Sequence, residues 1–332
     1  MPPLGLLTIL GFNPLARKIA ADTSLVEVEL ERMARQADDP KLTEVFLHLF
    51  KSGGKRIRPA LVLLAAQWGT YERDRAVRMA AAMEMIHAAS LVHDDIIDEA
   101  SIRRGRKTAN ELWGTKVAVL SGDYLFAAAA RAVASINHVG VMDATAGTIM
   151  ALCAGEISQS ARAFQWHMQR EQYYRYIQQK TASLTSLCCT VGATVSGASP
   201  FEVETLTNVG AKLGMAFQIV DDVLDFIADE HDLGKPVGLD ISQGMITLPM
   251  IDVLATPEGR VLNGKLVDGQ EPTAETVRLL VAAIRKSGVI DASYTSARQY
   301  LREAQDLIQR LGNSDAATLL HHLSDYAVTR TS

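Results

Sequence analysis

Apolar residues recur every three or four positions along almost the whole chain, which is the spacing that places side chains on one face of an α-helix. No stretch alternates apolar and polar residues as a half-buried strand does, and no internal repeat has a fixed period. The pattern therefore predicts an all-α fold, a single helical bundle of about ten or more helices over residues 1–332. The periodic stretches are 41–50, 74–100, 115–136, 142–163, 171–197, 201–230, 245–254, 273–286, 291–312 and 315–328.

Three features lie outside these stretches. Pro59 predicts the start of a further helix and Gly69 its end, because proline suits a first helical turn and glycine often follows a last one. The stretch 255–273 is the least regular, and we expect a surface connection there. Residues 1–20 form the predicted N-terminal arm. Its apolar start, MPPLGLLTILGF (1–12), is only about half the length needed to span a bilayer and lacks the cationic start of a signal peptide. We expect this arm to dock on the body of the protein; contact with a partner subunit or a membrane surface is the alternative.

Composition limits the partners and the compartment. Hydrophobic residues make up 48% of the 332 positions, which is ample for a sizeable core, and the formal net charge is −5. So modest a charge argues against a surface that binds nucleic acid. Cys153, Cys188 and Cys189 have no spacing typical of a disulfide framework and fit a reducing compartment, so we expect a cytoplasmic protein.

The first candidate site is the acidic cluster in the stretch SLVHDDIIDEASIRRGR, residues 90–106. On a helix, Asp94 and Asp98 share one stripe with Met83, His87 and Ser90, since these positions are three or four apart. Two carboxylates one turn apart, with about 6 Å between their Cβ atoms, both stay ionised at low cost only if a cation lies between them. Oxygen ligands favour Mg²⁺. A solvated acidic face is the alternative, but it does not explain acids on the same stripe as Met83.

A second acidic cluster strengthens this interpretation. The stretch FQIVDDVLDF places Asp221, Asp222 and Asp225 in the same D-D-x-x-D arrangement, and Gln218 and Gly214 extend their stripe. Helical bundles build metal sites from carboxylates that project inward from facing helices. We therefore expect the two clusters to lie on facing walls of one cavity.

Cations accompany both clusters. Glycines in the GGKRIRP loop let the backbone approach an anion, and lysine and arginine bind phosphate oxygens. One such cation alone is typical of a solvated surface, whereas the whole set indicates a polyanion held through metal. The set comprises Lys55, Arg56, Arg58, Arg103, Arg104, Lys180 next to Thr181, and Lys235. Two acidic clusters with two groups of cations indicate two diphosphates, and the apolar stripe before Asp94 indicates a hydrophobic tail on at least one of them.

These motifs together resemble those of the trans-isoprenyl diphosphate synthases, the polyprenyl synthetase family. They occur in family order over most of residues 45–250, and their combination is highly specific. The resemblance implies a terpenoid-synthase fold with a central cavity, and the joining of isopentenyl diphosphate to an allylic diphosphate with three Mg²⁺ ions. The matching motifs are GGKRIRP (53–59), LVHDDIIDEASIRRGR (91–106), GDYLF (122–126), KTA (180–182), GMAFQIVDDVLDF (214–226) and DLGKPVGLDISQG (232–244).

The resemblance also implies a role for each matching residue. Mg²⁺ would be ligated by Asp94, Asp98, Asp221 and Asp225, with Asp95 and Asp222 as supporting acids. Isopentenyl diphosphate would be bound by Lys55, Arg58, His87 and Arg104. The allylic diphosphate would be bound by Arg103, Lys180 and Lys235, with Thr181 and Gln218 lining the reacting end. Metal and cations would stabilise the departing diphosphate, so that the allylic C–O bond ionises and the isopentenyl double bond attacks. The residues expected to act in this catalysis are Asp94, Asp98, Arg103, Lys180, Asp221 and Lys235.

The residues that precede Asp94 predict the length of the product. Ala89 and Ser90 lie about one helical turn back, where short-chain members of the family tend to carry aromatic residues, and Ile86 and Met83 lie further back. None of the four is aromatic, so we expect a product longer than farnesyl, of six or seven isoprene units, for a quinone side chain. The stretches MEMIHAASLVHDD and SGDYL resemble catalytic subunits of hexaprenyl and heptaprenyl diphosphate synthases, which work with a small partner that lacks the acidic motifs.

One position departs from the family pattern. Met245, in DISQGMITLP, stands where many members have lysine, so one cation for the allylic diphosphate is missing. The alternatives are a geranylgeranyl-length synthase, a terpene cyclase, and a non-catalytic or structural helical protein; both intact acidic clusters argue against the last two. We expect farnesyl diphosphate as the allylic substrate, and a homodimer or a heterodimer with a small regulatory subunit. Peripheral membrane contact during product release stays open.

Overall fold

The computed structural model describes residues 4–51, 53–227 and 237–329. These residues fold into two compact units, one within Met1–Ile149, Leu184–Gly210 and Leu307–Leu323, the other within Met150–Ser183, Ala211–Asp306 and Ser324–Ser332. Helices dominate both units, which confirms the predicted all-α class. The single domain over residues 1–332 stays a prediction.

Most of the predicted helices occur in the structure within a few residues of their predicted bounds, but no helix was predicted for Leu4–Leu10, Pro14–Arg35, Ala109–Trp113 or Leu239–Ser242. A 3₁₀ turn (Ala66–Trp68) extends the fourth helix, and a π-helical turn (Gln178–Ala182) joins the ninth to the tenth. The helices are α1 (Leu4–Leu10), α2 (Pro14–Arg35), α3 (Pro40–Phe50), α4 (Ile57–Ala65), α5 (Arg73–Ile97), α6 (Ala109–Trp113), α7 (Thr115–Ala134), α8 (Val139–Ser160), α9 (Arg170–Ile177), α10 (Ser183–Val195), α11 (Pro200–Ile227), α12 (Leu239–Ser242), α13 (Leu248–Ala255), α14 (Pro257–Asn263), α15 (Ala274–Lys286), α16 (Val289–Arg310) and α17 (Asp315–Thr329).

In the first unit, α5 packs against α2, α4 and α7. Every residue of α4 from Pro59 to Ala65 is buried, which is the pattern of a helix inside a core. α10 approaches α4 at Gly192, where a Cβ atom would lie 2.2 Å from the carbonyl oxygen of Val62, so only glycine fits. This packing fixes the axis of α5, the helix that carries the first acidic cluster.

In the second unit, the core surrounds the last turns of α11. Phe226 of α11 is fully buried in one cluster with Met250 of α13 and Leu280 of α15. Trp166 belongs to the same cluster, and its Nε1–H donates to the carbonyl of Val267 at 3.2 Å. Burial of each large apolar side chain stabilises the fold by about 1.5–3 kcal/mol. The buried side chain of Phe226 therefore anchors α11 directly next to the second acidic cluster, which the same helix carries.

The N-terminal arm docks on the first unit, as predicted. Leu6 and Leu10 of α1 are fully buried. Nδ1 of His322, on α17, lies 2.8 Å from the carbonyl oxygen of Leu10 and ties the end of α1 to that helix. Residues 1–3 of the predicted arm lie outside the described residues.

Two local structures differ from the sequence prediction. β1 (Ile102–Arg103) and β2 (Arg106–Lys107) form an antiparallel hairpin directly after α5, and strands of two residues are too short to show alternation. Its turn residues, Arg104 and Gly105, both have positive φ, of 51° and 72°, as in the tight turns that suit hairpin twist. The stretch 255–273 contains α14 as well as surface connection, because Thr256 Oγ1 caps the helix by accepting from the N–H of Gly259 at 3.0 Å.

Some helix boundaries also differ. The predicted helix 171–197 is divided by the π-helical turn into α9 and α10. α4 begins at Ile57, two residues before Pro59, and proline is still tolerated there because the first-turn N–H groups have no partner inside a helix. The last three residues of the predicted helix 201–230 lie outside the described residues.

Among the described helices, α7 is long and apolar enough to cross a membrane, with a mean hydropathy of 1.4 over its most apolar 18-residue window. This is weak evidence, because the core helix of a soluble protein passes the same test. In α7, 39% of that window is buried inside the protein.

Candidate active site

The first acidic cluster occupies the end of α5. The N–H of Asp98 donates to the carbonyl of Asp94 at 2.8 Å, so these residues are one helical turn apart, as predicted. Asp94 is half-buried and Asp98 is exposed, whereas Asp95 is 4% exposed. Asp95 accepts a hydrogen bond from Nε of Arg103 at 2.5 Å. Asp95 therefore anchors the β1–β2 hairpin to α5, while the other two carboxylates keep access to solvent.

The hairpin brings a second arginine to the GGKRIRP loop. Nη1 of Arg104 donates to the carbonyl of Gly53. A Cβ atom on Gly54 would lie 2.7 Å from the same Nη1, so glycine permits the close approach of the two segments. Arg104 has the left-handed backbone that non-glycine residues seldom adopt, a kind of strain that clusters at functional sites. The loop and the hairpin thus form one cationic pocket.

His87 lies in this pocket as a neutral side chain. Its Nε2 is 3.0 Å from Nη1 of Arg58, and a guanidinium can only donate, so Nε2 accepts. Burial, followed by the positive charges of Arg58 and Arg104, holds the pKa of His87 well below its usual value. Nε of Arg58 is buried and has no hydrogen-bond partner among the described residues. Lys55, on the same loop, is exposed. This arrangement suits an oxyanion, which would accept from the arginines and raise the pKa of the histidine.

The second acidic cluster lies near the end of α11, and its middle carboxyl is buried. Oδ2 of Asp222 accepts from the hydroxyl of Tyr173 at 2.6 Å, and Oδ1 accepts from Nε2 of Gln218 at 2.7 Å. Burial raises the pKa of Asp222 to about 7, although both hydrogen bonds act in the opposite direction. Oε1 of Gln218 in turn accepts from Thr181 at 2.5 Å. A continuous chain of hydrogen bonds therefore joins Thr181 to the acidic cluster.

The outer carboxylates of this cluster are more accessible. Asp221 is exposed and Asp225 is half-buried. The backbone N–H of Asp240 donates to Oδ2 of Asp225 at 3.4 Å, and the N–H of Gly238 donates to its carbonyl at 3.2 Å. The chain at Gly238 and Asp240 thus lies against the acidic cluster. Lys235, predicted to bind the allylic diphosphate, lies outside the described residues.

The π-helical turn carries Lys180 and Thr181. π-helical turns inside α-helices occur often at functional sites. Nζ of Lys180 lies 2.6 Å from Oε2 of Glu156 and donates to Oε1 of Gln159 at 2.7 Å. The amide nitrogen of Gln159 lies 2.7 Å from the sulfur of Met245. Met245, which stands in place of the common lysine, is thereby connected to the predicted diphosphate ligand Lys180 through one glutamine.

Several residues of these networks were not among the predicted site residues. Tyr173, Glu156 and Gln159 act on the predicted ones through side-chain contacts between helices. Arg56 was noted as one of the cations, but no role was predicted for it, nor for Glu84, which pairs with it at 2.5 Å. None of these contacts leaves a periodic signal in the sequence, because each joins positions 21 to 49 residues apart.

The predicted chain-length residues lie along α5 behind Asp94. Met83, Ile86 and Ala89 are fully buried. Ser90 is half-buried, and its hydroxyl donates to the carbonyl of His87 at 2.9 Å. The role of these four residues in product length stays a prediction.

The oxygen ligands suit a metal that completes its coordination with substrate. No group of three or more histidine, cysteine or acidic side chains that could hold a metal ion by itself occurs in residues 4–51, 53–227 and 237–329. Mg²⁺ fits a pair of carboxylates such as Asp94 and Asp98, since it is usually held by one or two carboxylates together with water and phosphate oxygens. The carboxylates of each cluster can therefore contribute to a site that forms with a diphosphate.

Comparison with known proteins adds to this picture. The family model described as polyprenyl synthetase matches residues 39–284. The chain is 40% identical over 308 residues to heptaprenyl diphosphate synthase component 2 of Geobacillus stearothermophilus, with 93% of this chain and 95% of that protein covered.

Solved structures give the same result. The chain matches heptaprenyl diphosphate synthase from Staphylococcus aureus with a TM-score of 0.90 and 35% identity, covering 95% of this chain and 99% of that one. It matches a polyprenyl synthase from Caulobacter crescentus CB15, complexed with calcium and isoprenyl diphosphate, with a TM-score of 0.89 and 32% identity, covering 96% and 97%.

Proposed function

Because this chain belongs to the polyprenyl synthetase family, we propose that it condenses isopentenyl diphosphate with an allylic diphosphate to an all-trans polyprenyl diphosphate of six or seven isoprene units. The chain is a prenyltransferase, and it has the all-α terpenoid-synthase fold of its relatives. The length of the product and the identity of the allylic substrate, for which we propose farnesyl diphosphate, are the finer parts of the proposal.

One observation carries the proposal: α5 bears both an anion pocket and a pair of metal ligands. His87 lies in the cationic pocket, and Asp94 follows it by two helical turns, about 10 Å along the axis. This spacing leaves room for a five-carbon unit between one diphosphate bound at His87 and a second bound through metal at Asp94. Arg58 and Arg104 converge on the first position.

We assign metal binding to the accessible carboxylates of both clusters. The proposed ligands of three Mg²⁺ ions are Asp94, Asp98, Asp221 and Asp225. When bound, Mg²⁺ supplies Lewis-acid stabilisation of the departing diphosphate. The calcium in the Caulobacter crescentus protein supports a divalent cation in this family.

The remaining residues bind and orient the substrates. Arg103, Lys180 and Lys235 are the proposed partners of the allylic diphosphate, and they stabilise its charge as the C–O bond ionises. Thr181 and Gln218 line the reacting end. The isopentenyl double bond then forms the new C–C bond, and the released diphosphate takes the proton that is lost. His87 is neutral in the ligand-free pocket, so we assign it the role of a hydrogen-bonding partner of the isopentenyl diphosphate and not that of a general base.

Two features support a product of medium or long chain. The side chains one helical turn before Asp94, Ala89 and Ser90, are small. The relatives from Geobacillus stearothermophilus and Staphylococcus aureus are named for heptaprenyl products. We propose that the product serves as a quinone side chain and that the protein acts in the cytoplasm.

The relative from Geobacillus stearothermophilus is named component 2, which supports a second subunit. We therefore propose that this chain is the catalytic subunit of a heterodimer with a small partner, and that a homodimer is the alternative. Peripheral contact with a membrane during product release is part of the same proposal.

The direct test is the mass of the product. The purified chain is incubated with farnesyl diphosphate, isopentenyl diphosphate and Mg²⁺, alone and with a candidate small subunit, and a parallel sample contains EDTA. A single product of six or seven isoprene units supports the proposal. A product that stops at four units favours the geranylgeranyl-length synthase, and no condensation under any condition contradicts the proposed reaction.

A further inference from the structure

Arg56 is buried in the middle of the GGKRIRP loop, with 6% of its side chain exposed. Its Nη1 donates to Oε1 of Glu84 on α5 at 2.5 Å, and its Nη2 donates to the carbonyl of Phe50 at 2.6 Å. Nε donates to Oε1 of Glu27 on α2 at 3.3 Å. One guanidinium thus ties the loop to the end of α3 and to the middle of α5. All three nitrogens of the guanidinium are thus engaged inside the protein, whereas a ligand for phosphate would present its donors at an accessible surface.

The backbone of the loop depends on these bonds. Arg56 has φ 50° and ψ 39°, the left-handed region that a residue with a Cβ atom seldom occupies. Gly53 and Gly54 before it also have positive φ, of 78° and 138°. A strained conformation persists only where surrounding contacts over-determine it. The contacts of the Arg56 side chain do so here, and the directions of the flanking residues Lys55 and Arg58 follow from them.

Glu84, the carboxylate that pairs with Arg56, lies on α5, the helix that also carries His87. It lies one turn before His87, and only 9% of its side chain is exposed. Nη1 of Arg58 lies 3.0 Å from His87. Burial and the nearby arginines lower the pKa of Arg104, whereas Glu84 raises it, so this carboxylate is a shared counter-charge of the cationic pocket. The ion pair therefore joins the loop cations to α5 at a fixed position.

We propose that the Arg56–Glu84 ion pair is the positioning element of the isopentenyl diphosphate pocket. Neither residue touches the substrate; together they hold the loop so that Lys55, Arg58 and His87 converge on one diphosphate. The inference rests on the proposed function for the identity of that diphosphate.

Whether Glu84→Gln strengthens or weakens the binding of isopentenyl diphosphate distinguishes a positioning role from a purely electrostatic one. The substitution keeps the shape of the side chain and removes a buried negative charge among arginines. On charge alone, an anionic diphosphate would then bind more tightly. If the pair positions the loop, the KM for isopentenyl diphosphate rises about tenfold or more, since small displacements of binding groups have large effects. The KM for the allylic diphosphate changes little.

The experiment measures both KM values and the direct calorimetric binding of isopentenyl diphosphate for the wild type, Glu84→Gln, Arg56→Met and the double variant. Glu27→Gln is the matched control, because it makes the same chemical change on the same arginine, at a longer contact and with 50% of the side chain exposed. We expect the control to bind like the wild type. The double variant should bind no more weakly than Arg56→Met alone, because Arg56→Met already removes the bond to Glu84.

Each outcome supports or contradicts the proposed positioning role of the Arg56–Glu84 ion pair. Tighter or unchanged binding by Glu84→Gln overturns the inference while the proposed function stands. Equal increases in both KM values also overturn it, because a general loss of structure acts on both substrates. A wild type that binds no isopentenyl diphosphate overturns the proposed function, and the inference with it. If Arg56→Met does not fold, Arg56→Lys replaces it, and we expect an intermediate KM, since lysine keeps the charge without reaching all three acceptors.

Discussion

The hydroxyl of Tyr173 offers a sharp test of how the second acidic cluster is held. Tyr173 is fully buried and Asp222 is 5% exposed, and the hydroxyl donates to Oδ2 of Asp222 at 2.6 Å. Tyr173→Phe removes this donor and keeps the ring, which packs edge-on against Tyr174 and Tyr176. The substitution therefore leaves a buried carboxyl with one hydrogen-bonding partner fewer and creates almost no cavity.

The expected loss in the free energy of unfolding depends on the charge of Asp222. A hydrogen bond to a charged group contributes about 1.5–3 kcal/mol, so we expect Tyr173→Phe to lower the free energy of unfolding by about 2 kcal/mol at pH 8. The bond favours the ionised carboxyl, so its contribution is present above the pKa of Asp222, about 7, and is lost as the pH falls through that value. At pH 6 the carboxyl is mostly protonated, and the loss should shrink to about 1 kcal/mol or less.

Urea unfolding of the metal-free protein in EDTA, followed by circular dichroism at pH 8 and pH 6, measures both values. Tyr174→Phe is the matched control, because Tyr174 is the adjacent residue, is only half-buried and keeps the same ring contacts. Its effect should stay within about 0.5 kcal/mol at either pH. Equal losses for the two variants, or a loss from Tyr173→Phe that is larger at pH 6 than at pH 8, would refute the reasoning.

Three further predictions follow from the first unit. Ala89→Phe should shorten the prenyl product, because it places an aromatic ring one helical turn before Asp94. An unchanged product length in mass spectrometry would contradict the chain-length assignment. EDTA should abolish condensation, and Asp94→Asn should lower its rate by about 100-fold or more in Mg²⁺, whereas a variant with near wild-type rate would remove Asp94 from the metal ligands. The pKa of His87 is depressed in the folded protein, so below about pH 6.5 the unfolded chain binds a proton that the folded protein does not. The free energy of unfolding should therefore decrease below that pH by up to about 1.4 kcal/mol per pH unit. His87→Gln should flatten this slope, and urea unfolding that gives equal slopes for the variant and the wild type would contradict the prediction.

Local spacing explains why the acidic clusters could be predicted from the sequence. Residues four apart on a helix lie one turn apart, and the bond from the N–H of Asp98 to the carbonyl of Asp94 shows that turn in the structure. The same period located most helices within a few residues. The β1–β2 hairpin was missed because two residues per strand are too few for an alternating pattern, and its turn uses Arg104, which does not signal a positive φ as asparagine would.

The contacts that hold the site in place could not be predicted, because they join distant positions. Tyr173 and Asp222 are 49 residues apart, and Arg56 and Glu84 are 28 apart. Nothing in the local pattern distinguishes a buried arginine such as Arg56 from the exposed Lys55 beside it. Only the packing of helices decides which polar side chain meets which partner, and burial then makes that partner obligatory.

Arg103 in the first unit and Lys180 in the second are each held by acidic or amide side chains of their own unit. Arg103 donates through Nε to Asp95, and Lys180 is engaged by Glu156 and Gln159. These contacts with two carboxylates and one amide use only part of each donor set, because a guanidinium has five N–H groups and an ammonium has three. If Arg103 and Lys180 bind a diphosphate as proposed, each would meet it as a side chain that is already oriented and has further N–H groups. Ordering a long side chain opposes binding by about 0.5–1.5 kcal/mol, and for these residues most of that cost is met when the protein folds. We therefore expect the acids beside these cations to favour diphosphate binding by fixing the geometry of the cations, although the negative charge of the acids alone would oppose it.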